Sequence, residues 1–529
     1  MNYPTEPKAR ADVARPSPDG RARPCNVMRR RRWPLPATAA LALLAAAPAT
    51  PPSLAADARP LQLAQGGPPS LSVPRPTPPP RSAPPAATPD AKTDAKPGAP
   101  GRGVVRSGAG AAYLAGQYVG PSPCGSPNCH GNLEPGHVYD VLQNEFYVWS
   151  SESDPHRNAA EPLFNEQSRL IARNLGLKQS ADRSARCLVC HALDVPESAQ
   201  AVPLELADGI SCEACHGPAG GWLARHNETG WTHADSVAAG MVELRDPRAR
   251  ARVCLDCHGG KAGRQVDHEL LAAGHPELVF ELDNYTESMP AHWMPFADRH
   301  DTAGRRDTHG LVAWAVGQTE AFRQGVLLLR HRAASDRWPE FAELTCDGCH
   351  HDLAGGRWRQ VRGYRLRAGL PSWSPARWTV LRHLLAAVAP RERAALDGDV
   401  DRLAEQVSRL NTPAPALAET AQRIADGLDR ALPRLAGHDW NEGAARALLV
   451  AIAGDRAGLA AADRESAEQV AYAAGSLVAN LGALEPSVAR GRLPALVDAL
   501  YAELDDPYLW DRERFGAVLA EIEKAASSP

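Results

Sequence analysis

Residues 209–226 read GISCEACHGPAGGWLARH. Within them Cys212, Cys215 and His216 stand as C-x-x-C-H. So short a tether presents two thiols and one imidazole to a single edge and face of a flat ligand. It is the attachment signature of c-type haem: the thiols add to the two vinyl groups, and the adjacent histidine falls beneath the iron as proximal ligand.

The unit repeats in both directions along the chain. Upstream lies CLVCH (Cys187, Cys190, His191), and downstream lie CLDCH (Cys254, Cys257, His258) and CDGCH (Cys346, Cys349, His350). Further upstream CGSPNCH (Cys124, Cys129, His130) has four residues between its cysteines, a longer loop than the others. Ten of the eleven cysteines are used in this way, and the last, Cys25, sits in a segment expected to be removed. Zinc also uses C-x-x-C pairs, but needs no histidine directly after each. A thioredoxin-like motif would occur once, beside a strand–helix unit. Disulfides would leave five histidines to chance. Only 20 residues separate His191 from Cys212, and 37 separate His216 from Cys254, so successive haems should lie close together.

Each iron needs a distal ligand or keeps an open face. Beyond the expected leader the only methionines are Met241, Met289 and Met294, whereas thirteen histidines remain after the five proximal ones. Bis-histidine ligation at low potential is therefore the expected rule. The candidates are His156, His226, His268, His275, His292 and His351, the last adjacent to proximal His350 and able only to reach a neighbouring haem. His137, His233, His300, His309 and His331 read better as hydrogen-bonded histidines, and His383 and His438 fall in a helical tail. The stretch after His191 holds no histidine or methionine up to Cys212, so the second unit is the one suspected of an open face. Arg357, Arg359, Arg362, Arg365 and Arg367 crowd the region after the fifth unit, as partners for propionates or as a solvated basic face.

Composition bounds the rest. A chain of 529 residues exceeds one domain, and 44% hydrophobic residues can support a core. A formal net charge of −4 leaves no electrostatic footprint for nucleic acid. Arg29 to Arg32 precede an apolar stretch, Ala37 to Ala47, and the small-residue run PSLAADA, the layout of a secretory signal. The apolar stretch is shorter than the roughly 20 residues a membrane span needs. Residues 59–112 are rich in Pro, Ala, Ser and Gly and have almost nothing to bury. After about Ser374 the chain turns rich in Ala, Leu and Arg. Leu417, Ala421, Ile424 and Leu428 share a helix face, as do Ala467, Val470, Ala471, Ala474, Leu477, Val478 and Leu481. Asp463 and Asp511 read as helix N-caps, and prolines such as Pro413, Pro433, Pro486 and Pro494 punctuate five or six short helices.

At its haem motifs the chain resembles the multihaem cytochrome c family that includes the tetrahaem cytochromes c-554. The likeness rests on the W-x(n)-H-x-x-A context from Trp149 to Ala159 and on residues 209–226, and it extends over about residues 118–260. The strings DHELLAAGHPELVFELDNYTESMPAHW and CDGCHHDL look like larger members of the same group. The resemblance implies periplasmic electron transfer with mostly bis-histidine haems; the broader group also contains redox enzymes for small nitrogen compounds. The fifth unit, the long gap in the first, the proline-rich leader and the C-terminal extension depart from that pattern.

The expected architecture is mainly α. A signal peptide occupies 1–58, with Met28 as an alternative start, and a disordered linker spans 59–112. A pentahaem cytochrome c domain with little regular structure spans 113–370, and an α-helical bundle spans 371–529. The expected function is periplasmic electron transfer through five covalent haem c groups, with other redox proteins as donor and acceptor. No nucleic acid is involved, and membrane contact arises only if the N-terminal segment is retained. The alternative is an oxidoreductase acting on a small nitrogen or sulfur compound at one open-coordinate haem.

Overall fold

A helical turn explains the spacing of the attachment units. Positions i, i+3 and i+4 share one helix face, so C-x-x-C-H at a helix end points both thiols and the imidazole the same way. The computed structural model describes residues 104–106, 112–136, 141–151, 154–294, 307–350, 370–458, 460, 462–506 and 510–528. These fall in one compact unit. The expected signal peptide, Cys25, most of the linker, His137, His300, His351 and the arginines from Arg357 to Arg367 lie outside the described residues.

A two-stranded antiparallel ladder opens the described chain. Val104–Arg106 (β1) pairs with Ala112–Leu114 (β2), with Val104 opposite Leu114. The helices that follow are short: α1 (Glu145–Ser150), α2 (Glu166–Asn174), α3 (Ala185–His191), α4 (Cys212–His216), α5 (His233–Ala238), α6 (Pro247–His258), α7 (His268–Ala272) and α8 (Leu282–Ser288). The second, third and fourth units are the C-terminal turns of α3, α4 and α6. The first and fifth units sit instead on single 3-10 turns, Ser122–Gly125 and Cys346–Gly348. Their hydrophobic neighbours form only small clusters, such as Val119, Ala219 and Trp222, or Ile171, Leu270 and Ala273.

From His309 onwards the helices lengthen: α9 (His309–Ala333), α10 (Ala376–Val388), α11 (Pro390–Ser408), α12 (Ala414–Ala436), α13 (Glu442–Gly454), α14 (Arg464–Leu484), α15 (Pro486–Ala489), α16 (Leu493–Leu504) and α17 (Arg512–Ser527). Asp463 and Asp511 cap α14 and α17 as expected, accepting backbone N–H groups from Ser466 and from Glu513 and Arg514. Among the described residues the tail holds eight helices rather than five or six. Pro433 does not end a segment either: α12 runs a further turn to Ala436, and burial of Ala431, Leu432 and Leu435 offsets the backbone hydrogen bond that proline removes.

α9 departs most from the expected plan. It has 25 residues and falls within the span expected to have little regular structure. Leu311, Trp314, Phe322, Val326 and Leu329 on α9 belong to the same core as Trp378, Leu428 and Leu477 of the tail. On another side α9 packs on α6, where Ala251 and Leu255 meet Ala313 and Ala321. Fully buried Glu320 of α9 pairs with Arg248 and Arg252 of α6, and Arg248 and Arg323 share Asp429 of α12. The core of the tail is therefore completed by α9, a helix from the preceding region. Among the described residues no helix is long and apolar enough to cross a membrane.

Candidate metal centre

Two glycines and one buried carboxylate set the third unit. Gly209 has φ +54, and a Cβ there would meet the carbonyl oxygens of His156 and Arg157 at 2.6 and 2.5 Å. Only glycine lets the chain pass this close to the His156 loop, where Ile210 N–H donates to His156 O at 2.9 Å. Gly217, at φ +79, turns the chain directly after His216. Between them Glu213 accepts the N–H groups of Val119, Gly120 and Ala219 at 2.7–3.0 Å. Burial pushes its carboxyl upward, and the three N–H groups oppose that shift. The non-cysteine position of CEACH thus pins the incoming chain to α4.

Among the described residues the imidazoles come together in four pairs. His130 faces His226 with ring centroids 6.2 Å apart, and His258 faces His156 at 6.1 Å. His191 faces His275 at 6.4 Å, and His350 faces His268 at 6.2 Å. Two imidazoles on opposite faces of one metal ion, each bound at about 2.0 Å, have centroids about 6 Å apart. Each pair joins a histidine of an attachment unit to one from the candidate distal set. The planes are nearly parallel for His130–His226 (11°) and His350–His268 (25°), and crossed for His258–His156 (89°) and His191–His275 (83°). The second unit, suspected from sequence of an open face, therefore has His275 opposite. The sequence missed this because His275 lies beyond two further units and only the fold returns it.

His216 is the exception. Among the described residues no imidazole faces it at that separation; its electrostatic neighbours are His292, His130 and, with opposite effect, Glu145. Burial, with those two rings, pushes the His216 imidazole down to about 4, and burial lowers His258 likewise to about 4. Both are therefore neutral at pH 7, the form that ligates a metal.

Neighbouring acceptors fix the ring tautomers. His191 Nδ1 lies 2.7 Å from Ala159 O, His226 Nδ1 2.7 Å from Leu223 O, and His275 Nδ1 2.7 Å from Pro276 O. A carbonyl oxygen only accepts, so Nδ1 carries the hydrogen and Nε2 keeps its lone pair for a metal. His130 Nδ1 meets Glu145 Oε2 at 2.9 Å in the same way. Four other histidines sit elsewhere: His233 meets Glu243 at 2.8 Å, His309 meets Arg250 at 3.3 Å, His383 lies 3.3 Å from Asp455, and His438 stacks edge-on against Trp440.

A cavity of about 3150 Å³ is lined by the cysteines and histidines of the first four units and by His156, His226, His275 and His292. Protein interiors rarely hold voids larger than a water, so this one has room for several large planar groups. None of the ten described cysteines is joined in a disulfide. The Nε atoms of Arg250 and Arg464 line the cavity, are buried and have no partner, and a carboxylate such as a haem propionate satisfies such a group. On these observations the residues fit covalently held haem. Sequence reasoning had not singled out either arginine or Glu213. A signal existed for Arg250, which lies one helical turn before Cys254 and shares its face.

Residues 127–217 match the family described as cytochrome c554 and c-prime. The match holds Cys129 and His130 and the whole of the second and third units, and begins after Cys124. The chain thus carries a cytochrome c-type segment, which implies covalent haem c with its iron and a c-type cytochrome in electron transfer. No curated protein and no solved structure matches the chain.

Proposed function

We propose that this chain holds five covalent haem c groups and passes electrons between redox partners in the periplasm. The thioether anchors are Cys124 and Cys129, Cys187 and Cys190, Cys212 and Cys215, Cys254 and Cys257, and Cys346 and Cys349. The proximal ligands His130, His191, His216, His258 and His350 are opposed by His226, His275, His292, His156 and His268, in that order. Haem iron between two histidines exchanges single electrons at low potential without an open face.

The observation that carries this reading is the set of four imidazole pairs at 6.1–6.4 Å, each containing one attachment-unit histidine. Around them the chain orients rings through Nδ1 acceptors and keeps His216 and His258 neutral by burial. Export through the arginine-led signal brings the cysteines to the compartment where such haems are attached.

Intact mass of the denatured protein tests the count. It should exceed the polypeptide by five haem groups, with a mature N-terminus between Asp57 and Arg59. Loss of all haem to acid-acetone extraction would overturn the reading, and four haems would single out the Cys124–Cys129 unit as unoccupied.

A second reading has one observation in its favour, the lack of a facing imidazole at His216. If His292 does not close that site, the third unit offers a coordination position to a small nitrogen or sulfur compound. Electron paramagnetic resonance decides. A one-haem high-spin ferric signal that shifts with nitrite, hydroxylamine or nitric oxide would establish the enzyme. Five low-spin ferric haems would leave the carrier.

A further inference from the structure

We propose that the first unit takes haem c because residues 126–131 fold its two surplus residues out of the way, and that Gly131 is the positioning residue on which this depends. The proposal rests on the five-haem reading above. It accounts for the one unit whose spacing departs from C-x-x-C-H, and it gives roles to Pro127, Asn128 and Gly131, none of which carries a thiol or an imidazole.

The fifth unit supplies the reference geometry. It sits on a 3-10 turn, as the first does, and its spacing is the regular one, Cys346 to His350. His350 N–H donates to Cys346 O at 2.8 Å, which closes the unit from its imidazole residue back to its first cysteine. In the first unit the corresponding residues are His130 and Cys124, two positions further apart in sequence. His130 N–H nevertheless donates to Cys124 O, at 3.2 Å. The same closure is made across a longer stretch, so the surplus has left the line of the chain.

It leaves as a turn. Cys129 N–H donates to Ser126 O at 2.8 Å, and Gly131 N–H donates to the same oxygen at 3.0 Å. Pro127 and Asn128 form the corner and are exposed, whereas Cys124, Cys129 and His130 are half-buried beside the cavity. The residue types suit the positions. Serine favours the first place of a turn, and proline at the second presets φ near about −65°. Every one of these hydrogen bonds is local in sequence, so closing the loop costs little entropy and does not await the rest of the fold.

Two glycines form the neck of the loop. A Cβ on Gly131 would lie 2.1 Å from Gly125 O and 2.7 Å from Gly125 C, and both are backbone atoms that cannot swing aside. A Cβ on Gly125 would lie 2.9 Å from the Phe146 ring. Only glycine at 131 lets the two sides of the loop approach this closely. A regular unit has no such need: Ala192 follows His191, and His351 follows His350. Beyond the neck the imidazole is fixed. His130 Nδ1 meets Glu145 Oε2 at 2.9 Å, and Phe146 N–H donates to His130 O at 2.9 Å. The ring then faces His226 at 6.2 Å, the same separation that His350 keeps from His268.

The chemistry asks for no more than this placement. Each thioether forms by addition of a thiol S–H across a vinyl double bond. Sulfur joins the carbon next to the porphyrin, and hydrogen joins the terminal carbon. Nothing leaves and no oxidant is consumed, so the chain must supply two reduced thiols at the right separation from the imidazole.

The test reads haem occupancy of the first unit in the full-length protein, by intact mass after denaturation and by the mass of the proteolytic peptide that carries Cys124 and Cys129. Four chains are compared: the parent, Gly131→Ala, a chain with Pro127 and Asn128 deleted, and the deletion combined with Gly131→Ala. The deletion leaves Cys124, Gly125, Ser126, Cys129 and His130 as a regular C-x-x-C-H unit. The parent and the deletion should both carry haem on that peptide. Gly131→Ala should lose one haem, from that peptide alone, and the combined variant should regain it. The regain separates the turn from general damage, because a Gly131→Ala chain that merely misfolds would stay unloaded after the deletion. Full loading of Gly131→Ala, an empty first unit in the deletion, or no regain in the combined variant would each overturn the proposal and leave the five-haem reading standing. Bare Cys124 and Cys129 in the parent would overturn both.

Discussion

The region up to residue 294, which holds four of the five attachment units, and the helices from α9 onwards solve the folding problem differently. The first has helices of five to twelve residues and small apolar clusters around a cavity of about 3150 Å³. The second has helices of up to 25 residues and one continuous core through α9, α10–α14, α16 and α17. Short helices are marginal alone, so under the proposed reading the first region would draw from covalent anchors, iron–imidazole bonds and porphyrin surface what the second obtains from Leu, Trp and Phe burial. The regions are nevertheless joined. Asn480 and Ser476 of α14 hold Asp283 of α8, Asn284 donates to Tyr472 O at 2.8 Å, and Glu465 accepts the N–H of Cys346 at 3.0 Å.

The most severe way to break the comparison is to remove one side of it. Truncation after Leu370 strips the partners of Leu311, Trp314, Phe322 and Leu329 and takes Glu465 from Cys346. The expected outcome is aggregated protein or loss of the fifth haem, read by gel filtration and intact mass. A soluble fragment with every haem attached would show that the regions are independent.

Within the helical region, Trp314→Ala should cost about 3–5 kcal/mol, the usual range for a large aromatic removed from a core. The ring is fully buried among the tail helices. Denaturant unfolding followed at the haem absorption and by far-ultraviolet dichroism should shift together if the two regions unfold as one. Separate transitions would mark them as distinct folding units.

The junction itself should respond to pH. Asp283 is buried, and its carboxyl is held well above the ordinary range by desolvation and by the neighbouring Glu281. An unfolded chain releases this proton near pH 4, while the folded chain keeps it, so the folded state binds more protons in between. Stability from this group is full at acid pH and falls as pH rises through the raised value. Asp283→Asn should flatten that decline, and an unchanged pH profile of the unfolding midpoint would show that the aspartate does not govern it.

The smallest effect belongs to a helix start. Asp246 caps α6, which carries the fourth unit, by accepting the N–H groups of Arg248 and Ala249 at 3.0 and 3.4 Å. Asp246→Ala should cost about 1 kcal/mol without changing the haem count. Loss of the fourth haem would mean that α6 must be preformed for attachment.

The five C…CH units were legible as motifs because covalent attachment demands fixed neighbours: two thiols and an imidazole must be close in sequence to meet one porphyrin edge and one iron. The mainly helical character and the caps Asp463 and Asp511 were legible because apolar periodicity and capping are local. The pairing of His191 with His275, and of His350 with His268, was not legible, since an opposing ligand may come from any part of the chain and only the fold brings it within about 6 Å. α9 escaped because it is buried on nearly every side, so no polar stripe betrays its period. Sequence determined which residues carry the attachment motif; tertiary structure decided which histidines face the motif histidines, because the motif acts along the chain and facing acts through space.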